Sequence, residues 1–247
     1  MKTRLGCRMA ALPQTGMRER PDAFTLVELL VVISIIAVLA GLSLSVLGKV
    51  QVLRQRTESA TRLRQWGAAL AAYVNDNNGA LPRRGQGVQP VTQLDRPTDW
   101  FNALPPYVGL QGYGALIEAG QRPQAGDHSL FVRPGATDPG GPVFLSYGMN
   151  MNLSPWNLSA PTGLAQIALP ATTVFLAETP GPYSSTYPSV QPYSCLAPYN
   201  GTGNVLFLDG HVSAFTAAYL GVNTGDPQRA DVRWLTGTAS DAQAGQY

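Results

Sequence analysis

From Leu29 to Leu47 the chain runs for nineteen residues without a charge, directly behind a glutamate, Glu28. As a helix this run rises about 28 Å at roughly 1.5 Å per residue, close to the roughly 30 Å hydrocarbon core of a bilayer. The sequence therefore predicts one spanning helix, a buried core helix being the alternative that the same composition allows. Lys2, Arg4, Arg8, Arg18 and Arg20 precede the run, against Glu19 and Asp22. That basic excess favours a cytoplasmic N-terminus, a single pass, and a C-terminal domain outside the inner membrane.

Beyond Gly48 the apolar positions Leu53, Ala60, Leu63, Gly67, Leu70 and Val74 recur three, four or seven apart. That spacing predicts a narrow apolar stripe on a continuing helix. Arg54, Arg56, Arg62 and Arg64 fall mainly away from it, and Glu58 precedes Arg62 by four residues, an orientation suited to a helix-surface pair. Asn75-Asp76-Asn77-Asn78-Gly79, followed by Pro82, supplies residues tolerant of left-handed geometry and then a helix breaker, so the helix is expected to end near residue 78. The expected helix covers 24–78, about 24–47 transmembrane and 48–78 amphipathic, and its stripe needs a domain to dock on.

The sequence places that domain at 79–220. The 26 glycines and 20 prolines fall mostly beyond residue 79 and predict many turns and few long elements. Residues 97–104 read as a short helix and Ala171–Ala177 as the first clear strand. Asn204–Leu208 and His211–Phe215 flank Asp209-Gly210, a signature of a two-residue hairpin turn that would set Phe207 opposite Val212 and Val205 opposite Ala214. The expected fold class is α+β, a long helix packed on an antiparallel sheet. Residues 221–247 read as a polar tail interrupted by Val232-Arg233-Trp234-Leu235.

The formal net charge is +2, but the basic excess lies in the first 23 residues and the remainder is close to neutral. No basic face is left for nucleic acid, whose binding rests on phosphate neutralisation. Cys7 and Cys195 would lie on opposite sides of the membrane, so no disulfide is expected and Cys195 reads as a lone thiol. With His128 and His211 its only histidines, the chain shows no metal-type spacing and no nucleophile-elbow pattern. His128 reads as a loop residue and His211 as a solvated strand residue; the chain is not expected to be an enzyme.

Pro21-Asp22-Ala23-Phe24-Thr25-Leu26-Val27-Glu28-Leu29-Leu30-Val31-Val32 resembles the processing and methylation motif of type IV pilins and type II secretion pseudopilins. In that family a small residue, usually Gly, precedes the cut, an apolar residue becomes the new N-terminus, and Glu stands fifth after the cut. Ala23, Phe24 and Glu28 occupy those places. The C-terminal part is similar to a bacterial group of pilin-like proteins named for a His, nine residues and then Asp-Gly: Asn200–Val212 matches its end and Ser146–Asn150 is another shared stretch. The group's His is Tyr199 here and its Cys-Pro is Arg133-Pro134, so neither role carries over.

The resemblance implies a leader, 1–23, removed by a membrane-embedded prepilin peptidase that cuts between Ala23 and Phe24 and methylates the Phe24 amine. It implies partners in that peptidase, the inner membrane and other pilin or pseudopilin subunits, which Glu28 helps to bring together as a filament assembles. It implies no cofactor. Calcium, which some pseudopilins hold in C-terminal loops through six to eight oxygens, is the one metal to weigh, with Asp209, Asp226 and Asp231 as available donors and no carboxylate spacing that assigns them. The rival reading is a secreted or singly anchored extracytoplasmic binding protein, for which Val38 and Ala40 allow a signal-type cut before Gly41. Against it stands Glu28, a charge at the head of an apolar run where it is costly unless it serves a function.

Overall fold

A computed structural model of the chain describes residues 24–85, 94–154, 161–179, 189–190, 194–222 and 229–237. The expected leader, with Ala23 beside the expected cut, Cys7 and Asp226 lie outside them. The chain divides into two compact units, Met1–Leu47 and Gly48–Tyr247.

Helix α1 spans Leu26–Asp76. Within the first unit its described side chains are exposed, including Leu29, Ile33, Ile36 and Leu39. An apolar surface in the open marks a segment that needs a non-aqueous environment or a partner, and α1 is long and apolar enough to cross a membrane. The helix stops where the sequence signals it: Asn78 and Gly79 take φ of 55° and 80°, and the Gly79 N–H donates to the Val74 carbonyl at 2.9 Å.

In the second unit α1 is buried at Ser59, Arg62, Leu63, Trp66, Gly67, Ala69 and Leu70. This corrects the expected stripe at its start. Leu53 is 59% exposed and Val50 55%, because periodicity reports which residues share a face and not how far along the helix the domain reaches. It also corrects Arg62, expected on the solvated side but buried.

The short helix expected at 97–104 is α2, Trp100–Ala103, continued as a 3-10 turn over Pro105–Val108; α3 follows at Tyr113–Glu118. Among the described residues five strands form one sheet in the order β3-β1-β2-β4-β5, with β1 Tyr147–Asn150, β2 Val174–Glu178, β3 Ser189–Val190, β4 Thr202–Phe207 and β5 Val212–Thr216. Four strands are antiparallel neighbours, and β3 adds two residues in parallel at the edge beside β1. The α+β architecture is as expected. Among the described residues strand β1, not the Ala171–Ala177 segment, comes first, and β2 begins only at Val174 because Thr173 still closes a turn, its N–H donating to the Leu169 carbonyl at 3.0 Å.

The sheet is covered on both faces, which is why β2 and β4 bury nearly every residue. Leu176, Leu206 and Leu208 join Leu63, Trp66, Leu70, Trp100, Phe131 and Phe144 in the larger core. Val174, Ala177, Val205 and Phe207 pack with Leu220, Val232 and Trp234 in the smaller one. A register shift in β2 between Val174 and Leu176 places Phe175 and Leu176 together on the larger core, as a bulge does. The segment 229–237, expected within a polar tail, is thereby part of the domain: the Val174 N–H donates to the Arg233 carbonyl at 2.9 Å, and Trp234 Nε1 donates to the Leu220 carbonyl at 3.2 Å. That last carbonyl belongs to α4, Ala217–Leu220.

The hairpin at Asp209-Gly210 exists, but its register is one residue from the expectation. Leu206 pairs with Val212 and Asn204 with Ala214, while the Phe207 N–H donates to the His211 carbonyl and the Gly210 N–H to the Phe207 carbonyl, each at 3.0 Å. This is a three-residue loop, a turn closed by a left-handed glycine, instead of the two-residue turn. A slip of one exchanges faces, so Phe207 and Val205 lie on the smaller core while Val212 packs against the larger. Gly210 has φ 91° and a Cβ there would meet nothing within 4 Å, so the penalty of a side chain is conformational alone. Gly210→Val is expected to destabilise the domain by about 1 kcal/mol or more, since β-branched residues resist positive φ. Chemical denaturation of the two proteins side by side measures it; equal midpoints would remove the turn's conformational demand.

Gly67 shows how closely helix and hairpin meet. A Cβ on it would stand 3.0 Å from the Gly210 carbonyl oxygen and 3.0 Å from Leu206 Cδ1. The helix backbone rests directly on the turn.

Candidate functional site

Two places carry chemistry worth building from the residues upward. The first is the head of α1. Thr25 is its N-cap: the Thr25 carbonyl accepts from the Leu29 N–H at 3.2 Å, and its Oγ1 accepts from the Glu28 N–H at 3.2 Å. Glu28 answers in kind, its Oε2 accepting from the Thr25 N–H at 2.9 Å and from the Thr25 hydroxyl at 2.8 Å. This reciprocal pair is a capping box, which satisfies two backbone donors that the helix itself leaves open. Both residues are exposed, and so is Phe24. The Thr-x-x-Glu spacing is visible in the sequence, where the charge alone had drawn attention.

The second place is buried. Glu178, at the end of β2, is fully enclosed, and three elements meet at its carboxylate. Ser59 of α1 donates to Oε1 at 2.5 Å, and the backbone N–H of Asn204 on β4 donates to Oε2 at 3.0 Å. The Ser59 Oγ is in turn 3.0 Å from the Tyr147 hydroxyl of β1. Asn204 continues the link, its side-chain amide donating to the Arg56 carbonyl at 2.9 Å. Burial pushes the Glu178 carboxyl above the usual carboxylate range, against the Ser59 and Asn204 hydrogen bonds, the neighbouring Tyr199 hydroxyl and the Arg133 charge, all of which favour ionisation. The Tyr147 and Tyr199 phenols are raised by the same burial and by the nearby Glu178. Tyr199 thus lies against a buried acid.

Arg62 is a buried cation on α1. It pairs with Glu58 at 2.5 Å, the i to i+4 pair read from the sequence. It also donates to the carbonyls of Ser129 at 2.9 Å and of Val132. It therefore ties the helix to the 127–132 loop. Beside it opens a cleft of about 750 Å³ lined in part by Gln65, Gln111, Gln121 and His128.

The remaining candidates have local partners. His211 stacks on Phe207 at 4.3 Å, and its Nδ1 is 2.6 Å from Asp209 Oδ1; Asp231 accepts from the Tyr219 hydroxyl at 2.5 Å. Among the described residues no three of His, Cys, Asp and Glu gather as metal ligands. The Cys195 thiol is buried, and desolvation pushes it up to about 12.

Ser146–Asn150 and Asn200–Val212, the stretches that the sequence reading singled out for their resemblance, have structural work. The Asn150 amide donates to the carbonyls of Val174 at 3.0 Å and Trp234 at 2.9 Å. Tyr147 and Asn204 belong to the Glu178 cluster. Sequence reading missed Ser59 and Glu178; the available signals were a Ser in line with Leu63 and Leu70, and an acid closing an apolar strand.

Residues 22–44 match the family model described as the prokaryotic N-terminal methylation motif. The match supports a pilin-type or pseudopilin-type substrate of a prepilin peptidase, and with the apolar helix it points to membrane anchoring. The motif indicates a structural subunit. No curated protein and no solved structure matches the chain.

Proposed function

We propose that the chain is a subunit of a type IV pilus-like or type II secretion filament, cut between Ala23 and Phe24, methylated on the Phe24 amine, and drawn into the filament through Glu28. The observation that carries this reading is the methylation motif over residues 22–44 placed on the head of α1, where Phe24 is exposed and Glu28 closes the first turn. The N-terminus lies in the cytoplasm before cleavage, and the domain from residue 79 onward is extracytoplasmic. The chain is then a substrate and building block, with the inner membrane, the peptidase and other subunits as its partners.

The mature protein is expected to begin at N-methyl-Phe24. Intact-mass and N-terminal peptide analysis of membrane fractions, with and without the peptidase gene, checks this. A start at Gly41 would reverse the reading in favour of a secreted binding protein, and the cleft beside Arg62 would then be the first place to look for its ligand.

A further inference from the structure

Ser59 is the first residue of α1 that the domain buries, and the turns before it, with Val50, Leu53 and Thr57, are exposed. At that entry point the helix is held to the sheet by a carboxyl group that is completely enclosed. The groups facing Glu178 are Ser59 from α1, Tyr147 from β1, Asn204 from β4, Tyr199 and Cys195 from the segment before β4, and Arg133 from the loop before β1. Arg133 favours the ion from a distance; among the described residues no Lys, Arg or His forms an ion pair with Glu178. Arg62, which also acts on Tyr147, is occupied by Glu58 and the loop carbonyls.

We propose that Glu178, Ser59 and Tyr147 form a proton-operated latch between α1 and the sheet, closed while Glu178 carries its proton and loosened when the proton leaves. Taking an unpaired carboxylate out of water is costly, so the ion favours any arrangement in which water reaches it. Lifting the first buried turn of α1, which carries Ser59, would let water reach Glu178. The neutral acid has no such demand: its O–H can donate to Ser59 Oγ, which passes a hydrogen bond on to Tyr147, while the other oxygen keeps the Asn204 N–H. Because burial raises the folded carboxyl above its ordinary value of 4.5, the latch's stabilisation is complete below that value and is lost as pH rises through the folded one. The direction is opposite to that of a surface ion-paired carboxylate.

The test uses the full chain in detergent micelles. Unfolding by denaturant is followed from pH 5 to pH 8 for the wild type and Glu178→Gln, an amide that keeps the shape and cannot ionise. Across the window between the unfolded and folded values, the wild-type unfolding constant is expected to rise by up to about tenfold per pH unit relative to the variant, the slope of one proton. Hydrogen-exchange protection of the amides around Ser59 falls over the same range in the wild type only. Parallel pH profiles for the two proteins would overturn the latch. Should the variant fail to fold, glutamate labelled with carbon-13 at its carboxyl decides the matter in the wild type. A protonated-acid carbonyl band that shifts with the label at neutral pH supports the latch, and absence of a label-sensitive band refutes it.

Discussion

Glu28→Leu is expected to leave membrane insertion and cleavage intact and to abolish incorporation into filaments. A carboxylate near the end of a spanning helix costs less than the roughly 2.5 to 3.5 kcal/mol assigned to a charge at the bilayer centre, so its removal helps insertion if anything. Once subunits pack their apolar helices together the surroundings are dry, and an unpaired charge there is destabilising. The proposed cleavage would create a matching cation, the amine of Phe24, on the same or a neighbouring subunit. The capping box adds a second role that must be separated from the first, because Leu also removes the hydrogen bonds to Thr25. Glu28→Gln separates them. Glutamine serves in a capping box as glutamate does, so the helix head survives while the charge is gone. If charge pairing draws subunits together, Gln fails nearly as completely as Leu, and Glu28→Asp, with its shorter reach, is partly impaired. Subunit crosslinking in cells, normalised to cleaved protein, distinguishes the variants. Wild-type crosslinking by Glu28→Gln would assign Glu28 to capping alone.

Much of this fold could be read from the residues. The end of α1 at Asn78-Gly79, the α+β class and the Asp209-Gly210 hairpin all follow from local chemistry, because turn glycines and apolar runs act within a few residues of themselves. What escaped the sequence depends on distant partners. The hairpin register moved by one because a left-handed glycine closes either a two-residue or a three-residue loop, and the choice here left Phe207 in the cluster of Trp234 and Leu206 beside Gly67. Arg62 looked like a surface cation because nothing within a few residues indicates the loop carbonyls that enclose it. At Glu178 the local sign, an acid closing an apolar strand, named none of its partners, which stand on α1, β1 and β4. The head of α1 was the most legible site, since its Thr25–Glu28 pairing is complete within four residues.

The largest loss of stability is expected at Trp66, which the periodic stripe omitted. Its side chain has no exposed surface, and its ring meets Trp100 edge-on at 5.1 Å and Phe131 at 5.5 Å. Its Nε1–H donates to the Leu130 carbonyl at 3.1 Å, so the residue joins α1 to α2 and to the 127–132 loop at once. Trp66→Ala removes the apolar burial, opens a cavity between rings that cannot close over it, and leaves a buried carbonyl without its donor. Such truncations cost about 3 to 5 kcal/mol, against a total stability of about 5 to 15 kcal/mol for a typical domain. Trp66→Phe keeps an aromatic edge against Trp100 and loses mainly the N–H, a change of about 1 to 3 kcal/mol for an orphaned buried acceptor together with the smaller ring. Leu53→Ala, on the same helix and within the expected stripe, removes a side chain that is 59% exposed and is expected to change stability by no more than about 0.5 kcal/mol. Denaturant midpoints of the three variants, read in the same detergent, rank Trp66→Ala far below Trp66→Phe, with Leu53→Ala beside the wild type. Equal losses at Leu53 and Trp66 would move the start of the docking face back to residue 53 and refute the boundary drawn at Ser59.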